Sequence, residues 1–186
     1  MLEKVLLTEQ SIVYGEIESI LTEKIDFEKI KKNIIDNQES NNFLSKDFFS
    51  DFKNYIKIDD DKNITWIHDY IRDHYRLQYK KLPVWLDKSG LIQKKNELIN
   101  CHDHIDPFDL LKSPDLSCLY TLQTGKKNSY IVFVTKEGRE KNLRWRVPVL
   151  KNRFYLFNSG LKHYFTPHDN EESNIFLSFK FNLETY

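Results

Sequence analysis

Up to about residue 80, apolar positions recur at steps of three and four; beyond Leu82 they alternate in short runs separated by turn residues. In the stretch 64–80, Trp66, Ile67, Tyr70, Ile71, His74 and Leu77 form one stripe with charge behind it, and Asn63 is placed to cap the helix. The stretches 26–35 and 47–58 repeat this spacing with an acidic residue at each start, and 38–42 reads as the loop between them. Strands are predicted at 82–86, 98–104, 117–122, 130–135, 143–149, 154–157 and 175–181. Turn residues separate them at Lys88-Ser89-Gly90, Gly125-Lys126-Lys127-Asn128, Lys136-Glu137-Gly138 and Lys151-Asn152. The pattern predicts an α+β chain, mainly β, forming an antiparallel sandwich or barrel from residues 81–186 with a helical part, 1–80, packed outside it.

At 186 residues the chain is read as one domain, long enough to bury a core without disulfide or metal staples. Apolar residues make up 40% and aromatics 14%, which predicts a globular rather than disordered chain. The 28 basic and 28 acidic residues cancel, so nucleic acid is not expected as a partner. No apolar run reaches the ~20 residues that cross a bilayer, and acidic residues stand in the first ten positions where a signal peptide keeps a basic end. A cytoplasmic protein without a membrane partner is expected. Cys101 and Cys118 are too few for a disulfide framework and are read as buried, reduced thiols. Alanine is absent while Lys, Asn and Ile abound, a composition that reflects an AT-rich gene and not packing.

The candidate chemistry centres on His102-Asp103-His104-Ile105-Asp106-Pro107. Residues two apart on a strand point the same way, so one strand can offer His104 and Asp106 to a single metal, with His163 arriving from the aromatic stretch before it after the Ser159-Gly160 turn. Two His and one carboxylate on one face make the ligand set of non-haem Fe(II) oxygenases. His102, His104 and His163 satisfy the same alternation and form the competing set. Trp145, between two arginines, is read as sheet packing, and alternation turns Cys101 away from the histidines into the core. No Gly-rich phosphate loop, Cys-x-x-Cys zinc pattern or serine nucleophile elbow is present.

Residues 89–182 resemble the Fe(II)/2-oxoglutarate-dependent oxygenases, in particular a bacterial and phage group of that superfamily. The resemblance rests on His104-Ile105-Asp106-Pro107, Ser117-Cys118-Leu119-Tyr120, Phe157-Asn158-Ser159-Gly160-Leu161-Lys162-His163 and Asn174-Ile175-Phe176-Leu177-Ser178-Phe179, in the family's order. It implies a jelly roll, or double-stranded β-helix, binding Fe(II) through His104, Asp106 and His163. It favours Asp106 over His102, because Pro107 then stands where the family has its proline. It further implies 2-oxoglutarate as cosubstrate, ascorbate as an accessory reductant, and hydroxylation of a small molecule or peptide.

One departure bears on the cosubstrate. Eleven residues after the distal His, where the superfamily has an Arg or Lys for the far carboxylate of 2-oxoglutarate, this chain has Asn174. An amide donates hydrogen bonds but carries no countercharge. Arg144, Arg146 and Arg153 are the candidate replacements, and Tyr120 a candidate hydrogen-bond donor to the same carboxylate. The alternatives are a cupin-like metal protein that does not use 2-oxoglutarate, or a non-catalytic jelly-roll module. An arginine or lysine pointing into the barrel beside the metal site separates the first reading from the others.

Overall fold

The computed structural model describes residues 3–7, 10–40, 55–106, 108–125, 129–137 and 141–185. In chain order the strands are β1 (Glu3–Leu7), β2 (Gln10–Glu16), β3 (Tyr55–Lys57), β4 (Lys81–Gln93), β5 (Ile99–His102), β6 (Leu116–Gln123), β7 (Tyr130–Glu137), β8 (Lys141–Pro148), β9 (Arg153–Asn158), β10 (Lys162–Phe165) and β11 (Asn174–Thr185). The helices are α1 (Ser19–Thr22), α2 (Phe27–Glu39) and α3 (Lys62–Tyr79), with a 3-10 turn at Leu110–Lys112. All strand pairs are antiparallel. They form a large sheet, in the order β1-β2-β9-β6-β11-β4-β3, and a four-stranded sheet, β5-β10-β7-β8. Four central strands of the large sheet facing the four of the small one make a double-stranded β-helix.

Strand alternation sorts the core into two layers. Odd positions of β6, such as Leu119, share the layer between the sheets with Phe133, Phe157, Phe165 and Phe176. Even positions, Cys118, Tyr120 and Leu122, pack on the other face beneath Ile30 and Ile34 of α2 and Ile64, Ile67 and Ile71 of α3. Asp26 caps α2 by accepting from the Lys29 backbone N–H at 3.0 Å.

Several expectations are revised. The amino-terminal part is not purely helical: β2 pairs with β9, bringing Ile12 opposite Phe157, and carries β1 on its outer edge. The run Ser11-Ile12-Val13-Tyr14 is short and buried on both faces, so its period does not separate strand from helix. The expected helix at 47–58 ends instead in strand β3, with Tyr55 opposite Leu91; residues 47–54 lie outside those described. The cap of α3 is Asp61, which accepts from the Asn63 N–H at 2.7 Å, rather than Asn63 itself. Its buried face is Ile64, Ile67, His68, Ile71 and Tyr75, turned from the expected stripe so that Leu77 is exposed, because this face is the one that meets the sheet. Cys101 is exposed and Cys118 buried; both are free. Trp145 stands opposite Phe133 but on edge strand β8, which leaves it 41% exposed.

Lys88-Ser89-Gly90 is not a turn: β4 runs straight through it, with Gly90 opposite Leu177. The glycine is there for close approach. A Cβ added to it would lie 2.7 Å from Ile34 Cγ2 and 2.8 Å from Cγ1, so α2 sits directly on the strand backbone. Gly90→Ala is expected to destabilise the fold by about 1–3 kcal/mol through overpacking. Ile34→Ala, which removes both clashing carbons, should cost less stability in the Gly90→Ala chain than in wild type, read as denaturation midpoints.

A candidate metal centre

His102, at the end of β5, pairs across the ladder with His163 of β10, which brings their rings to 4.4 Å between centroids at an interplanar angle of 53°. His104 lies two residues beyond β5. Its backbone N–H donates to Ser159 O at 2.8 Å, and this bond turns its ring toward the other two. Ring centroids are 5.0 Å apart for His104 and His163 and 5.5 Å for His102 and His104. One ligand nitrogen from each comes within 4.8 Å of the others, and all three residues are buried. Among the described residues this is the group of His, Cys, Asp and Glu side chains that could hold a metal.

The hydrogen bonds decide which nitrogens converge. His102 Nδ1–H donates to Asn100 O at 2.8 Å and His163 Nδ1–H to Leu161 O at 3.1 Å; a carbonyl only accepts, so each neutral ring keeps its lone pair on Nε2. His104 Nδ1 is 2.6 Å from Ser117 Oγ, which is 2.7 Å from Ser159 Oγ. A hydroxyl both donates and accepts, so His104 can present a lone pair or an N–H at Nε2. His163 Nε2 is buried without a hydrogen-bond partner, whereas the Tyr55 hydroxyl lies 3.1 Å from His102 Nε2 and 3.2 Å from His104 Nε2. Burial holds the pKa of His104 and of His163 well below the ordinary histidine range, with the neighbouring imidazoles adding to it and Lys180 adding to the effect on His104. Both rings are therefore neutral at physiological pH, the state that binds metal. Burial also raises the Tyr55 phenol far above its usual pKa.

Ser117→Ala removes the partner that holds the His104 ring. The expected result is metal binding about 10–100-fold weaker in an otherwise folded protein, as for the loss of other groups that orient a ligand, measured by titration with Co(II).

Asp106 is not in the group of three. Its Oδ1 accepts from the backbone N–H groups of Phe108, at 2.8 Å, and Asp109, at 3.1 Å, while its own N–H donates to Ser113 Oγ at 2.7 Å. The carboxylate thus organises the turn that leads into the 3-10 segment. Strand alternation does not extend to it, because β5 ends at His102. Pro107 lies outside the described residues.

The cosubstrate candidates disperse. Asn174 is wholly buried and saturated: its amide donates to Gln93 Oε1 and Ser129 Oγ and accepts from Thr124 Oγ1, each at 2.9 Å. Arg144 and Arg146 are exposed on the face of β8 that carries Val134 and Val132 opposite them, away from Phe133 and the barrel interior. Arg153 Nε donates to Glu16 Oε1 at 3.0 Å, and its guanidinium lies over the Tyr14 ring. Tyr120 is in the helix-covered layer, its hydroxyl 3.5 Å from Asn152 Oδ1. None of the five adjoins the histidines.

Lys180, which the sequence reading passes over, does. It sits on β11 at the parity of Phe176 and Ser178, opposite Ser117 on one side and Asp87 on the other, with a side chain only 14% exposed. Its Nζ is 4.0 Å from Asp87 Oδ2, and burial lowers its pKa. Together with His104, Asp106, Asp87, Leu86 and Leu111 it lines a cavity of about 480 Å³. Counting by twos from Asn174 would have found it.

Comparison of the fold with solved structures gives extensive likenesses. The non-haem α-ketoglutarate-dependent carbocyclase SnoK of nogalamycin biosynthesis superposes with a TM-score of 0.62 at 11% identity, over 93% of this chain and 79% of that one. A Pseudomonas putida prolyl-4-hydroxylase gives 0.60 at 11%, over 95% and 94%. A Burkholderia pseudomallei oxidoreductase of the 2OG-Fe(II) oxygenase family gives 0.51 at 9%, over 98% and 73%. The fold is that of the 2-oxoglutarate and iron(II) dependent oxygenases. In this oxygenase fold the three histidines lie together where β5 and β10 meet. No protein-family model matches the sequence. Among curated proteins, the chaperone SurA of Buchnera aphidicola (subsp. Schizaphis graminum) is 28% identical over 161 residues, 75% of this chain and 35% of that one, so the chain spans about a third of that protein's length. The chaperone role stays with that protein. No described helix is long and apolar enough to cross a membrane.

Proposed function

We propose that this protein is an Fe(II) dioxygenase that uses 2-oxoglutarate to hydroxylate a small molecule or peptide, with its metal held by His102, His104 and His163. The observation that carries the reading is the convergence of three buried imidazoles, two with Nδ1 tied to a backbone carbonyl and one, His163, with an orphaned Nε2. Imidazole suits several transition metals, and the oxygenase fold is what favours iron among them. Bound Fe(II) with 2-oxoglutarate would supply the oxidation, consuming O2, releasing succinate and CO2, and turning a substrate C–H into C–OH. The chain's own part is to hold and shield: Ser117 orients His104, Leu86 and Leu111 line the approach, and Lys180 supplies the buried countercharge that Asn174 lacks.

Ascorbate would serve as accessory reductant. The shared large sheet beneath both core layers supports treating residues 1–186 as one domain, and the free thiols support a reducing compartment such as the cytoplasm. The saturated hydrogen bonds of Asn174 favour a second reading, a cupin-like metal protein that takes no 2-oxoglutarate. Succinate formation with Fe(II), ascorbate and 2-oxoglutarate, run beside 2-oxoglutarate titrations of the metal-loaded protein, separates the two. Binding at millimolar concentration with succinate release supports the dioxygenase. Metal binding with neither leaves the cupin-like protein.

A further inference from the structure

The ladder between β4 and β11 is irregular beside the cavity that His104 and Lys180 line. Asp87 stands opposite Lys180 and Trp85 opposite Phe181, so Leu86 has no counterpart on β11. Such an extra residue is a β-bulge, a device that re-aims side chains on a strand. Here it lets Leu86 and Asp87, neighbours in sequence, line one cavity instead of alternating across the sheet, and Leu111 of the 3-10 turn lines it with them. We propose that the substrate is a cation with an apolar body, its positive group received by Asp87 and its body by Leu86 and Leu111. This rests on the dioxygenase reading above, with Lys180 as the partner of the cosubstrate.

The charges of the wall lead to the cation. Among the described residues that line the cavity, Asp87, Asp106, Lys112 and Lys180 are charged. Lys112 Nζ is engaged with Asp109 Oδ2 at 2.9 Å, and Asp106 is buried with one oxygen accepting from two backbone N–H groups. Asp87, its side chain 42% exposed, is the accessible carboxylate, and its Oδ2 lies 4.0 Å from Lys180 Nζ. Once a cosubstrate carboxylate takes Lys180, one ammonium serves two carboxylates, and Asp87 then gains from a second cation. Bound 2-oxoglutarate thus prepares the place for the substrate, which sets an order of binding. Leu86 and Leu111 are 44% and 95% exposed, so an apolar body laid over them removes aliphatic surface from water. Because His104 belongs to the same wall, a body held there adjoins the metal centre.

Full-length protein loaded with Zn(II), which does not change redox state, provides the test with two ligands of one alkyl chain. Octyltrimethylammonium is a cation that cannot coordinate metal, and octanesulfonate is its anionic counterpart. With 2-oxoglutarate bound, calorimetry should show the cation binding about 5-fold more tightly than the anion, roughly what one partly exposed ion pair supplies. Asp87→Asn should abolish that preference and Asp87→Glu keep it. Leu111→Ser, at a position too exposed to matter for folding, should weaken the cation by about 5-fold. The cation should also bind more tightly with 2-oxoglutarate present than without it. Equal binding of the two ligands, a preference undiminished in Asp87→Asn, or an unchanged affinity in Leu111→Ser overturns the inference. Should Asp87→Asn not fold, the wild-type titrations with and without 2-oxoglutarate decide, and equal affinities overturn it. If 2-oxoglutarate does not bind the metal-loaded protein, the dioxygenase reading falls and this inference with it, whereas 2-oxoglutarate binding without the cation preference removes the inference alone.

Discussion

Replacing His163 with alanine is expected to abolish metal binding, replacing His102 to do the same, and replacing Asp106 to leave it in place. Each histidine supplies one of the nitrogens that meet within 4.8 Å, and removing any of them leaves two ligands. Loss of a group that merely orients a ligand costs about 10–100-fold in affinity, so loss of a ligand itself should exceed about 100-fold. One oxygen of the Asp106 carboxylate accepts from the N–H groups of Phe108 and Asp109, and the carboxylate is not among the three groups that converge, so Asp106→Ala should loosen that turn and lower thermal stability while the ion stays bound. Metal content after dialysis, with a Co(II) titration for each variant, gives the comparison. Loss of metal in Asp106→Ala with retention in His102→Ala would return the centre to a two-histidine, one-carboxylate set, which would require the turn at 106–109 to rearrange on binding.

Lys180→Met should remove 2-oxoglutarate binding while leaving metal uptake intact. Taking one partner from a buried charge pair costs about 3–5 kcal/mol, which corresponds to at least a 100-fold loss of affinity. Arg144→Ala, Arg146→Ala and Arg153→Ala should each change it little, because the first two are exposed on the outer face of β8 and the third is engaged with Glu16. Without cosubstrate the same variant should be no less stable than wild type at neutral pH, since an alkyl chain replaces a cation that burial disfavours. The sign of the pH dependence follows. A lysine with its pKa lowered in the folded state imposes its full penalty below that pKa and loses it as pH rises toward the unfolded value of 10.5, so any stability advantage of Lys180→Met should shrink over that alkaline range. Isothermal titration with 2-oxoglutarate and melting curves across pH measure both. Undiminished binding in Lys180→Met would mean that the cosubstrate finds its countercharge elsewhere.

What could be read from the chain divides by the range over which the controlling forces act. The helix at 62–79, the acidic cap of α2 and the strands beyond residue 81 follow from periods and capping groups a few residues apart, and these were legible. β10 was not: four residues after a glycine turn offer no period to count, and only pairing with β5 on one side and β7 on the other makes them a strand. Lys88-Ser89-Gly90 looked like a turn because glycine and serine favour one, whereas the glycine answers to a helix packed across the strand from 56 residues earlier in the chain, at Ile34.

The site divides in the same way. The sequence by itself determined that a His-x-His-x-Asp run and a distant His163 stand where a jelly roll can join them, because strand alternation is local. Which of them meet was decided by tertiary structure: β5 stops at His102, register sets His102 against His163, and Asp106 falls in the following turn, where one carboxylate oxygen accepts from two backbone N–H groups. Tertiary structure also turned Arg144 and Arg146 outward, placed Tyr120 beneath the helices, saturated Asn174, and brought Tyr55 and Lys180 to the histidines and the adjoining cavity. A residue's parity along its strand is written in the chain, but the face that becomes the interior depends on what the sheet packs against, and that is set by residues far away in sequence.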